Sequence, residues 1–162
     1  MRAWRIALEK FARTKQEAFS GLSGFTAGGR WHAKERHLDY AAESLSLATL
    51  ERLVHYKRFD ALNPHVVYQL EVPDGAIQRV GVPPKGWDGE DPLPAAQAIG
   101  NRWCDRRESP ALLVPSAVTR GEHNLLLNPR HADWKWSWVV AGPAPFAFDA
   151  RLLEAIRSKR SA

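Results

Sequence analysis

The stretch Leu38-Asp39-Tyr40-Ala41-Ala42-Glu43-Ser44-Leu45-Ser46-Leu47-Ala48-Thr49-Leu50-Glu51 changes period halfway along. Leu38 to Ala42 reads as a short strand. Ser44 then caps a helix running to about Tyr56, because a serine hydroxyl can accept a bond from an otherwise unpaired N–H of the first helical turn. Projecting Ser44 to Arg58 at about 100° per residue places Glu51 in the arc of Leu47, Leu50 and Val54. A carboxylate on that arc either pairs with His55 and Arg58 further along the same stripe or faces a cleft.

The same strand-and-helix reading extends outward in both directions. Ala3 to Leu8 alternates, with Trp4, Ile6 and Leu8 on one face and Arg5 on the other, and His65 to Val72 alternates likewise. Between them the glycine-rich run Gly21 to Trp31 is expected to be a loop that ends in a strand. Downstream the pattern predicts a helix over Ala95 to Arg107, strands near Leu112 to Val118, Asn124 to Leu127 and Trp138 to Val140, and a final helix from about Asp149 to Arg157. The prolines and glycines crowded between Val82 and Pro94 mark an exposed loop, not a domain boundary. Short strands interspersed with helices, without internal repeats, imply an α/β or mixed α+β architecture: one domain over residues 1–162 around a central mixed sheet. Local patterns do not order its strands.

A chain of 162 residues can bury about two thirds of the surface its unfolded form exposes, so its core requires neither metal nor disulfide. Cys104 is the single cysteine and cannot pair within the chain, which suits a reducing cytoplasm. No apolar run near Met1 has the length of a secretory signal or a membrane span. A soluble, cytoplasmic protein is expected. The formal charge of +5 and pI near 9.7 favour anionic ligands such as phosphate esters or nucleic acid. The seven tryptophans suit cores, stacking surfaces or interfaces.

Several residues invite a chemical reading. Arg30, after Gly28 and Gly29 and before Trp31, is either an ordinary turn residue or a planar guanidinium brought to a loop edge where it can fork onto phosphate oxygens. Arg5 interrupts an apolar strand and must face water or find an anion. Ser116 has neither an adjacent base nor a Gly-x-Ser-x-Gly elbow, so it fits ligand hydrogen bonding or turn capping better than nucleophilic attack. The histidines lack metal-ligand spacing, so no metal is expected. No Gly-x-Gly-x-x-Gly or Walker loop is present.

Trp4-Arg5-Ile6, Gly28-Gly29-Arg30-Trp31, Tyr40 with Ala42-Glu43-Ser44, Leu47-Ala48-Thr49-Leu50-Glu51, Val114-Pro115-Ser116 and Asn124-Leu125-Leu126-Leu127-Asn128-Pro129 occur in an order that resembles the RES domain, named for an Arg, a Glu and a Ser. The likeness covers nearly the whole chain. It implies a fold related to ADP-ribosyltransferases and a toxin that degrades NAD as a substrate, without a cofactor. It also implies an Xre-family antitoxin that occludes the site. By position Arg30, Glu51 and Ser116 match the eponymous trio, and Arg5 and Tyr40 match two further pocket residues. One departure is His32, where the family often carries Asn.

On this resemblance Glu51 stabilises positive charge on the ribose as the nicotinamide–ribose bond breaks. Arg5 and Arg30 bind phosphates, Tyr40 stacks on or orients the nicotinamide side, and Ser116 hydrogen-bonds the ligand. The acceptor stays open among water, inorganic phosphate and a protein side chain, the last making a mono-ADP-ribosyltransferase. From another class, the basic charge and tryptophan content suit a nucleic-acid-binding protein, although no recognised motif for one is present. The resemblance itself calls for neither direct nucleic-acid contact nor a membrane, and leaves a homodimer open.

Overall fold

The computed structural model describes residues 1–55, 63–152 and 154. Its elements are β1 (Arg2–Leu8), α1 (Lys15–Ala18), α2 (Leu22–Ala27), β2 (Asp39–Ala42), α3 (Leu45–Val54), β3 (His65–Glu71), β4 (Ile77–Arg79), α4 (Pro94–Arg106), β5 (Ala111–Pro115), β6 (His123–Leu127) and β7 (Val139–Phe146). The seven strands form one mixed sheet in the order β4-β5-β6-β2-β1-β3-β7. Only β4 and β5 run parallel; the other neighbours are antiparallel. The expected mixed α/β domain with a central mixed sheet is therefore present.

Because side chains alternate across a strand, register decides which residues share a face. Ala3, Ala7, Ala41, Tyr68, Leu70, Leu113, Leu125 and Leu127 build one core together with Phe19 and Trp134. On the other face Ile6 and Ala42 pack against Leu47, Ala48 and Leu53 of α3, while Trp31, Leu38, Leu112, Val114 and Leu126 pack against Trp103 of α4. The two helices thus cover the same face at different places. Tyr40, opposite Leu126, and Asn124, opposite both Ala42 and Val114, belong to that face.

Helix α3 starts where the sequence places it, with Ser44 Oγ accepting from Leu47 N at 3.0 Å. Its buried stripe is rotated from the expected one: Leu47 and Ala48 are buried, whereas Leu50 and Val54 are 41% and 61% exposed. The expected continuation through Tyr56 to Arg58 lies outside the described residues, as does most of the final helix, whose helical backbone begins at 150. The run expected as a loop from Gly21 contains α2, bracketed by Gly21 and Gly28 at positive φ of 71° and 67°. Glycine caps this helix at its start (Gly21) and at its end (Gly28) instead of preventing one. The strand expected to reach Val118 stops at Pro115, since the Ser116 hydroxyl accepts from Val118 N and Thr119 N and turns the chain. Strand β7 is longer than expected because Pro143 and Pro145 are tolerated at a sheet edge, where among the described residues no further strand needs their missing N–H.

Three of the tryptophans, Trp31, Trp103 and Trp134, are core residues. Helix α4 carries Gly100 against Trp31, where an added Cβ would run into the Trp31 carbonyl oxygen. Gly100→Ala is therefore expected to cost about 1–3 kcal/mol through overpacking, measured as a lowered thermal midpoint. An unchanged midpoint would mean that the helix can move away from the 29–33 segment freely. Among the described residues no helix is long and apolar enough to cross a membrane.

Candidate active site

Glu51 projects from the middle of α3 toward the sheet face shared with α4. Its Oε1 accepts from Ser116 Oγ at 2.7 Å and from Asn124 Nδ2. These partners sit at the end of β5 and the start of β6. Ser116 and Asn124 are both buried polar residues, and the carboxylate supplies the acceptor that makes their burial tolerable. Both bonds fall on one oxygen, so among the described residues Oε2 is left for another donor or a developing positive charge. The described partners of Glu51 are thus neutral, and His55 is not one of them; Arg58 lies outside the described residues. Sequence reasoning missed Asn124 as a site residue. The available signal was an amide opening the apolar run Leu125-Leu126-Leu127, where a buried polar group needs a partner.

The Gly28-Gly29-Arg30-Trp31 segment is folded into a turn closed by Gly29 N to His32 O at 2.9 Å. Helix α4 grips that turn: Gln97 Nε2 donates to Gly29 O at 2.9 Å, and Asn101 Oδ1 accepts from Ala33 N at 2.9 Å. Arg30 sits at the corner, half-buried, with one guanidinium N–H donated to Trp87 O at 2.7 Å. Among the described residues no carboxylate forms a salt bridge with it. The ring of Trp87 packs on Trp31 at 5.3 Å between centroids, so the loop after β4 fastens the same corner.

Tyr40 joins the two halves of the site. Its hydroxyl lies 2.9 Å from His32 Nδ1 and receives Trp31 N at 3.4 Å. Gly29 has to be glycine for this, since a Cβ there would stand 2.8 Å from the Tyr40 oxygen. Burial pushes the Tyr40 phenol well above its ordinary pKa; nearby Glu51 acts in the same direction, and Arg30 and the Trp31 N–H oppose it. The phenol is therefore neutral at physiological pH. On the shared sheet face Asn124, which binds Glu51, lies opposite Ala42, two residues from Tyr40, and the turn that carries Arg30 reaches the Tyr40 oxygen through Trp31 N. Glu51, Arg30, Tyr40 and Ser116 are thus brought together, with Asn124 and His32 added.

Arg5 is not brought to this group. It lies between Ala3 and Ala7 and opposite Tyr68, on the other face of the sheet. Its guanidinium bonds Asp39 Oδ1 at 2.7 Å, Ala18 O at 2.8 Å, Tyr40 O at 2.9 Å and Ser23 Oγ at 3.3 Å. Asp39 in turn accepts from Gly21 N at 2.7 Å. The anion that Arg5 finds is internal, and the network ties β1 and β2 to the start of α2. Arg5→Lys keeps the charge but cannot span these acceptors, so a loss of about 2 kcal/mol of stability is expected. The thermal midpoint should fall while kcat of the folded protein changes little; the reverse pattern would place Arg5 at the ligand.

Among the described residues no group of three or more His, Cys, Asp or Glu is arranged to hold a metal ion. Residues 2–149 match the family model described as RES domain. A relative named Toxin Res from Yersinia enterocolitica is 36% identical over 156 residues, covering 94% of this chain and 99% of its own length. A relative from Sphingobium sp. named Prs ADP-ribosylating toxin is 38% identical over 139 residues, covering 82% of this chain and 84% of its own. A chain in the crystal structure of the M. tuberculosis MbcT–MbcA toxin–antitoxin complex superposes with a TM-score of 0.63 at 16% identity, covering 97% of this chain and 88% of that one. The superposition shows a shared fold, and the family match together with relatives of this identity and coverage shows that the chain belongs to the RES domain family.

Proposed function

We propose that this chain is the toxin of a toxin–antitoxin pair and that it breaks the nicotinamide–ribose bond of NAD. The observation that carries the reading is the Glu51 carboxylate, fixed through one oxygen by Ser116 and Asn124, with Tyr40 on the same sheet face and the Arg30 turn bonded to it through Trp31 N. Breaking that bond leaves positive charge on the ribose, and a preorganised carboxylate stabilises such a centre without having to reorganise during the reaction. Nicotinamide departs as a neutral molecule, so its leaving requires no proton or metal. Arg30 holds diphosphate oxygens with the N–H groups not given to Trp87 O. Tyr40 presents its ring to the nicotinamide end. Ser116 acts chiefly through Glu51, because its hydroxyl proton is already donated there.

The names of the Yersinia and Sphingobium relatives support a toxin. The second of them favours one further reading, transfer of ADP-ribose to a protein side chain. Purified protein incubated with NAD, with and without inorganic phosphate, should release nicotinamide in step with NAD loss. The accompanying product then identifies the acceptor: ADP-ribose for water, its phosphate ester for phosphate, or an ADP-ribosylated protein. NAD left intact by folded protein would sink the proposal.

The partner in this reading is an Xre-type antitoxin whose C-terminal part covers the cleft of Arg30, Tyr40 and Glu51. That a chain sharing the fold sits in a toxin–antitoxin complex supports an antitoxin as partner. Inhibition should be lost when that C-terminal part is removed, and equal inhibition by the full-length and truncated forms would contradict occlusion of the cleft.

A further inference from the structure

We propose that His32 is a positioning residue for Tyr40: its imidazole accepts a hydrogen bond from the tyrosine hydroxyl at Nδ1 and so sets the orientation of the ring near Glu51 and Arg30. This rests on the reading of Tyr40 as the ring that orients the nicotinamide end of the substrate. The family's three eponymous positions do not include His32.

His32 is fully buried, and on the side of the imidazole away from Tyr40 its Nε2 lies 3.2 Å from the Gly24 carbonyl oxygen. A carbonyl oxygen only accepts, so Nε2 carries a hydrogen. Burial holds the His32 pKa below its ordinary 6.5; the Gly24 carbonyl opposes this, and the charges of Arg36 and Asp39 work against one another. The ring is therefore neutral at pH 7 and Nδ1 has a lone pair, not a proton.

That lone pair faces the Tyr40 oxygen at 2.9 Å, so the phenol must donate its only proton to it. Trp31 N–H reaches the same oxygen at 3.4 Å. The Tyr40 hydroxyl is then fully directed inward, and what the residue presents to a ligand is its ring. The fit leaves little slack: a Cβ on Gly24 would stand 2.8 Å from His32 Nε2, as one on Gly29 would from the Tyr40 oxygen. Arg36, whose charge acts on His32, is itself held by Asp105 through two bonds of 2.9 and 2.7 Å.

Two substitutions separate the nitrogens. In His32→Gln the side-chain amide reaches the Nε2 position and keeps a donor for Gly24 O, but nothing remains at Nδ1. In His32→Asn the amide oxygen falls close to the Nδ1 position and restores an acceptor for Tyr40. His32→Gln is expected to lower kcat/KM for NAD about tenfold, the scale of one lost hydrogen bond, and His32→Asn to recover most of that loss. Tyr40→Phe should show a comparable defect, and adding His32→Gln to Tyr40→Phe should cost little more, because both remove the same bond. Parental turnover by a folded His32→Gln protein, equal impairment of the Gln and Asn variants, or fully additive losses would each overturn the proposal. Nitrogen-15 NMR of the histidines in the unsubstituted protein at pH 7 tests it without any activity. Protonation of His32 at Nε2 alone is expected, and a hydrogen on Nδ1 overturns it. A protein that releases no nicotinamide from NAD would overturn the NAD reading while leaving this NMR result to decide the role of His32.

Discussion

Glu51→Gln is expected to leave a folded protein whose kcat for NAD is about a thousandfold lower, within the range found when a preorganised electrostatic contact to a transition state is removed. The fold should survive because a glutamine oxygen can still accept from Ser116 Oγ and Asn124 Nδ2, the two bonds that Glu51 Oε1 receives. What disappears is the negative charge opposite the ribose as it becomes cationic. That charge matters more in the transition state than in the bound ground state, so the loss should fall in kcat, with KM nearly unchanged. Steady-state kinetics of nicotinamide release, together with a thermal melt, checks both halves. Near-parental kcat in a folded Glu51→Gln protein would remove Glu51 from the mechanism.

Arg30→Lys is expected to lower kcat/KM by about tenfold to a hundredfold, mostly through a higher KM. A lysine keeps the positive charge but replaces a planar fork by a point charge, and loses the geometry that matches two phosphate oxygens at once. It also has to give up either the Trp87 carbonyl, held at 2.7 Å, or the ligand. Because the diphosphate is bound before and during the reaction, the effect belongs to binding. NAD affinity measured in the Glu51→Gln background, where turnover is slow, isolates that contribution. An affinity unchanged by Arg30→Lys would make this arginine a loop fastener to Trp87 and nothing more.

The contrast with Arg5 shows how far local sequence reaches. Alternation along Ala3 to Leu8 already puts Arg5 on the face away from Trp4 and Ile6, and the structure agrees. Nothing local, however, says that Asp39 stands on that same face with its carboxylate toward Arg5. The pairing depends on β1 and β2 being neighbours, which is a property of the strand order. The strand order in turn rests on contacts between segments far apart in the chain, so β4 joining β5 in parallel and β1 lying between β2 and β3 are not legible in local patterns.

Helix α3 illustrates the middle case. Its start is readable from Ser44, and Glu51 does face inward. Yet the apolar arc that orients it in the sequence differs in detail from the buried one, since Leu50 and Val54 are exposed and the buried residues are Leu47, Ala48 and Leu53. An arc drawn from hydrophobicity alone prefers leucine to alanine. Close packing of a helix on a sheet here uses the alanine.

For the candidate site, Arg30, Tyr40, Glu51 and Ser116 are singled out by resemblance and lie toward one face of the sheet, whereas the contacts of Asn124 and His32 emerge only in the folded chain. Asn124 supports Glu51 across the β5–β6 pair, and His32 is defined by a carbonyl eight residues before it. Neither partner is visible from spacing.

Cutting one glycosidic bond is the central act proposed for this site. Proton NMR of NAD mixed with the purified protein follows that bond directly, through the anomeric proton of the nicotinamide ribose. Loss of that signal at the rate at which free nicotinamide appears, with the adenosine ribose and diphosphate intact, and its persistence with Glu51→Gln, is the predicted result. NAD that stays whole in the presence of folded protein, or that is divided at the diphosphate into two mononucleotides, would contradict it.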